Sequence, residues 1–146
     1  MKKWHSLSLL FIALLAGCSK DPEEIRLNFD DCYSCRMTIS EEKFAAQLIT
    51  TGGKSLKFDA VECLIDASRE TALEGKIAAL YVRDYNSSEW IDAFKAFYVK
   101  DSSFNSPMGL DAAAFKLKAA AESEAAARGG RILNWQNLRL VQAGEL

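Results

Sequence analysis

Two thiols and a thioether fall within six residues in Cys32-Tyr33-Ser34-Cys35-Arg36-Met37. A two-residue spacer lets both sulfurs turn toward one ion, and soft donors of this kind select Cu(I), or zinc where a fourth donor is found. The same spacing permits a disulfide, the usual state of paired cysteines outside the cytoplasm. Thiol–disulfide exchange is a third use, but it needs one thiol at a helix N-terminus beside a cation. Here Asp30 and Asp31 precede the pair, Arg36 offsets them only in part, and no βαβ pattern leads in.

Three further places carry candidate chemistry. Cys63 follows Phe58-Asp59 in the first turn of an expected helix; it reads either as a small buried hydrophobe or as a third sulfur ligand. Met108 sits in Ser106-Pro107-Met108-Gly109, a turn that proline stiffens, and it suits a ligand or a core plug equally well. Tyr81, Tyr85, Trp90, Phe94, Phe97, Tyr98 and Trp135 form strand-type aromatic runs and are expected in the core.

The 146 residues include 18 basic and 20 acidic side chains, four cysteines and a single histidine, His5. Lys2 and Lys3, a largely apolar stretch over residues 7–15, and Leu15-Ala16-Gly17-Cys18 have the layout of a signal peptide. The apolar stretch would rise only about 14 Å as a helix, too little to span a bilayer. Leu-Ala-Gly-Cys resembles the lipobox of bacterial lipoproteins, so residues 1–17 are expected to be removed and Cys18 to carry the lipid that anchors the chain. Ser19, where aspartate would mark inner-membrane retention, leans toward the periplasmic face of the outer membrane. Processing would remove His5, which excludes Ser-His and Cys-His catalytic pairs, Cys2His2 zinc and blue copper. Arg36 after Cys35 excludes c-type haem attachment, and the acidic balance argues against nucleic acid.

The elements that must position these residues follow from periodicity. Residues 18–31 read as a lipidated, solvated acidic tether, and 32–146 as one folded domain. Strands are expected at 44–50 and 54–58 around Thr51-Gly52-Gly53, a helix at 60–73 with Asp59 as N-cap, and a strand at 77–82. The second half repeats the order, with strands at 89–92 and 93–99, a helix at 111–127 and a strand at 131–135. The expected fold is α+β: two tandem ββαβ units, about 32–86 and 87–146, packed as one compact domain.

Several blocks together resemble the NosL family: Cys32-x-x-Cys35-x-Met37-x-Ile39, Phe58-Asp59-x-x-x-Cys63-Leu64, Tyr81-Val82-x-Asp84-Tyr85, Trp90-Ile91-Asp92-Ala93 with Ala96-x-Tyr98-Val99, and Pro107-Met108-Gly109 with Ala114-Phe115. The resemblance implies paired ββαβ units, a lipoprotein, and a copper chaperone for maturation of nitrous oxide reductase in denitrification. Its implied cargo is Cu(I), its partner the apo-reductase or another copper enzyme with its maturation complex, and its ligands are drawn from Cys32, Cys35, Met37, Cys63 and Met108. Many relatives carry a histidine just after the loop methionine, where this chain has Leu110 and Asp111; the departure points to an all-sulfur site or another recipient. The expected function is a lipid-anchored Cu(I)-binding accessory protein without catalytic turnover. A structural lipoprotein with a Cys32–Cys35 disulfide is the alternative, followed by a thiol–disulfide exchanger.

Overall fold

The structure is a computed structural model that describes residues 20–146; the expected signal peptide and Cys18 lie outside the described residues. Strand β1 (Ala46–Thr50) and strand β2 (Ser55–Phe58) form an antiparallel hairpin. Its turn depends on Gly53 at φ 80°, a left-handed conformation that costs glycine little. Thr50 closes the turn, its carbonyl accepting from Gly53 N–H and its hydroxyl from Lys54 N–H, both at 2.9 Å. Helix α1 (Val61–Ser68) follows, and β3 (Ile77–Arg83) returns on the far side of β1, so that Leu48 faces Leu56 on one neighbour and Leu80 on the other.

The second unit has the same plan with different boundaries. Strands β5 (Phe97–Lys100) and β6 (Ala112–Phe115) pair, α2 (Lys118–Arg128) crosses, and β7 (Arg131–Leu133) returns beside β5. With β4 at Trp90–Asp92, the sheet orders are β2-β1-β3-β4 and β6-β5-β7, and the first strand of each unit lies between that unit's second and last strands. The tandem ββαβ arrangement of an α+β domain is therefore present.

Several boundaries differ from the sequence expectation, and the strand expected at 93–99 begins only at Phe97, after a turn, and runs to Lys100. Strand β4 (Trp90–Asp92) extends the first sheet by pairing with β3, so the second unit begins after it rather than at residue 87. Ala112–Phe115 was expected to open a helix on propensity, but Ala114 stands opposite Tyr98 and the pairing overrides the alanines. The expected strand at 131–135 stops at Leu133, because Asn134 caps a further helix, α3 (Trp135–Gln142), its Oδ1 accepting from Asn137 N–H at 2.8 Å. The expected helix at 60–73 ends at Ser68, with a separate 3-10 turn over Thr71–Leu73.

Alternation along β5 and β6 divides their side chains between two cores. Tyr98, Ala112 and Ala114 join Leu48, Phe58, Leu64, Leu80 and Trp135 in the core shared by both units. Val99, Ala113 and Phe115 pack with Phe104, Ala121 and Ala125 beneath α2. Tyr98 and Trp135 are buried as expected, Tyr81, Tyr85, Trp90 and Phe97 only in part, and Phe94 is exposed while its ring meets Trp135 edge-on at 5.6 Å. The acidic segment expected as a solvated tether instead docks on the domain. Ile25 is buried in the shared core, Glu23 N–H donates to the buried Gln47 at 2.8 Å, and Asp30 is ion-paired with Arg26 and Lys57, each at 2.7 Å.

Candidate metal centre

The Cys32–Met37 loop is a closed turn. Cys32 N–H donates to Met37 O at 2.8 Å, Arg36 N–H to Cys32 O at 3.1 Å, and Asp31 bridges to Thr38. Arg36 takes φ 65°, the left-handed step that reverses the chain. The turn is pinned to its neighbours by Tyr33 N–H on Lys57 O of β2 at 2.8 Å and by the Ser34 hydroxyl on Cys63 O of α1 at 3.2 Å. These bonds bring the turn to the point where β2 passes into α1.

At that point Cys32, Cys35, Asp59 and Cys63 converge, with one ligand atom of each lying within 4.8 Å of all the others. Cys32, Asp59 and Cys63 are buried and Cys35 is half-buried. All three cysteines are free thiols. Asp59 was expected to cap α1, but the N-cap is Ala60 and no side chain caps the helix. The Asp59 carboxylate turns to sulfur instead: Oδ2 accepts from Cys35 Sγ at 3.4 Å, and Oδ1 is buried without a hydrogen-bond partner. An orphaned buried oxygen beside three thiols is a costly arrangement in a metal-free chain and a suitable one around a cation.

The thiols titrate as a set. Cys32 is lowered to about 6, chiefly because the Cys63 thiol donates to its thiolate, with backbone N–H groups of Asp59 and Cys35 assisting against burial. Burial pushes Cys35 up to about 11, and neighbouring Cys32 and Asp59 add to the effect. Cys63 is raised strongly, first by its hydrogen bond to Cys32, then by burial. One proton therefore leaves readily while the others are held against accumulating negative charge, until a cation offsets that charge.

Of the sequence-predicted residues, the three cysteines form the cluster and the two methionines lie on exposed loops. Cys32, Cys35 and Cys63 come together. Met37 and Met108 are both exposed on loops tied to the cluster's elements, which removes the core-plug reading of Met108. Met37 is linked through its carbonyl, which closes the Cys32 turn, and Met108 through Glu62, the residue before Cys63. Sequence reasoning missed Asp59 as a donor and Glu62 altogether. The available signal was an acid on each side of the helix start, Glu62 interrupting the otherwise apolar face Val61–Ala67.

The sequence profile of the NosL family matches residues 27–141. The crystal structure of the copper chaperone NosL from Shewanella denitrificans superposes with a TM-score of 0.70 at 24% identity, covering 81% of this chain and 95% of that one. No curated protein matches the sequence.

Proposed function

The chain belongs to the NosL family, and from that premise we propose that it is a lipid-anchored, extracytoplasmic carrier that binds Cu(I) and hands it to a copper enzyme, apo nitrous oxide reductase or a related one, without catalytic turnover. The carrying observation is the convergence of Cys32, Cys35, Cys63 and Asp59 within 4.8 Å. Cu(I) is the cargo, and it needs only two or three soft donors. Cys32, the thiol that loses its proton most readily, meets the ion first, and Cys35 follows once the cation offsets its burial. Asp59 steadies Cys35 by accepting its thiol hydrogen bond, and Met37 and Met108 serve as weaker neutral donors on the solvent side. A site with one half-buried thiol releases its ion more easily than a fully closed one.

Competition of the reduced protein against a coloured Cu(I) chelator tests this reading. The expected result is uptake of about one Cu(I) per chain, abolished when the thiols are oxidised, since a disulfide offers no thiolate. Equal failure of reduced and oxidised protein would favour the structural lipoprotein. Anchoring is tested separately: Cys18→Ser should release the protein from membranes, and mass spectrometry finding an unmodified N-terminus at another residue would exclude the lipid.

A further inference from the structure

The geometry points to Glu62 as a positioning residue that holds the Met108 turn against the helix carrying Cys63, so that the thioether stands where Cu(I) enters and leaves. This rests on the reading of the site as a Cu(I) carrier. Glu62 is 2% exposed on a helix face that is otherwise apolar. A carboxylate in such a place costs stability unless its oxygens are used, and an aliphatic side chain would pack as well. One oxygen is used twice, Oε1 accepting from the Ser106 hydroxyl at 2.6 Å and from Leu110 N–H at 2.9 Å, while Oε2 is buried without a partner. The two donors stand two residues before and two residues after Met108.

The turn they hold is also closed on itself. Gly109 N–H donates to Ser106 O at 3.1 Å, Ser106 N–H to Asp111 Oδ1 at 3.0 Å, and Asp111 N–H to Ser106 Oγ at 2.8 Å. Gly109 and Asp111 take φ 81° and 57°, so the chain doubles back sharply around the methionine. Packing of the turn falls to Ser106 and Leu110, which are 7% and 8% exposed, while Met108 is 43% exposed. A methionine with little packing duty is thus presented on a rigid turn clamped to the residue adjoining a cluster thiol. Hydrogen bonds from residues behind the ligands that orient them in this way are worth about 10- to 100-fold in metal affinity.

The test uses the full-length protein labelled with 13C at the methionine methyls, which are confined to Met1, Met37 and Met108; Met108→Leu assigns the signal. In the wild type the Met108 methyl should shift on adding Cu(I), and Glu62→Ala should abolish that shift and weaken Cu(I) binding about tenfold, as Met108→Leu does. Glu62→Gln keeps an oxygen for both donors and should restore the shift and most of the affinity. Adding Glu62→Ala to Met108→Leu should cost nothing further. If Glu62→Ala does not fold, Ser106→Ala removes one of the two bonds and should reduce the Met108 response in the same direction. Unchanged affinity and methyl response in the folded variants, or full additivity with Met108→Leu, would overturn the assignment. A wild type that binds Cu(I) without moving the Met108 methyl leaves the carrier standing and removes the role of Glu62; a wild type that binds no Cu(I) removes both.

Discussion

The Cys35 thiol donates to Asp59 Oδ2 at 3.4 Å, which joins the half-buried end of the cysteine cluster to its one carboxylate. The pairing should make Asp59 a determinant of which ion is preferred. A carboxylate is a hard donor that a divalent ion uses well and Cu(I) scarcely uses. Asp59→Asn should therefore lower Zn(II) affinity about tenfold or more while leaving Cu(I) affinity within roughly threefold. Parallel chelator competitions with the two metals measure the ratio. Equal losses for both ions would make Asp59 a structural residue.

Removal of Cys63 should be felt at Cys32. The Cys63 thiol is the largest cause of the lowering of Cys32 to about 6, so the apo-protein should gain one thiolate as pH rises through that value. Thiolate ultraviolet absorbance follows this directly. Cys63→Ala should move the midpoint up toward the ordinary cysteine value of about 8.5. Cu(I) affinity should weaken as pH falls below about 6, because protons then compete for Cys32. A midpoint unmoved by Cys63→Ala would mean that the backbone N–H groups alone stabilise the thiolate.

Local chemistry made some of this molecule legible and nonlocal pairing hid the rest. The β1–β2 hairpin follows from Thr51-Gly52-Gly53, a turn that Gly53 and Lys54 close locally on Thr50. Ala112-Ala113-Ala114 reads as helix for an equally local reason, and only its pairing with β5 makes it a strand. Trp135 suits a strand by type, yet Asn134 caps a helix there. At the site, cysteines declare themselves by softness and spacing. Asp59 did not, because an acid just before a helix is equally well explained as an N-cap. Glu62 did not, because its partners Ser106 and Leu110 lie more than forty residues along the chain.

Acid should loosen the segment that leads into Cys32. Asp30 is held well below the usual carboxylate range by its bond from Lys57, then by the backbone and side chain of Arg26. A carboxyl depressed in the folded state contributes stability above its unfolded pKa of about 3.9, and that stability is lost as pH falls from there through the folded value. Asp30→Asn should lower the melting temperature by a few degrees at neutral pH, with the difference vanishing in strong acid. Melting curves for the two proteins across that range decide it, and a difference that persists in acid would mean that the substitution acts through packing.

Helix α3 should prove integral to the fold although its first residue, Trp135, was expected to close a strand. Trp135 and Leu138 are 1% and 0% exposed, Leu140 is 36% exposed, and Arg69 from the end of α1 donates to Arg139 O at 2.5 Å. Leu138 shares the core cluster with Cys32, Cys63 and Leu64, so its truncation leaves a cavity behind the helix that carries Cys63. Leu138→Ala should cost about 2 to 5 kcal/mol in urea unfolding, and Leu140→Ala about 0.5 kcal/mol or less. Because neither side chain belongs to the ligand cluster, Cu(I) affinity measured well below the unfolding midpoint should be unchanged in both. Equal stability losses for the two variants would mean that α3 does not dock through Leu138. A loss of affinity in folded Leu138→Ala would mean that the core beneath α1 sets the spacing of the thiols as well as supporting the helix.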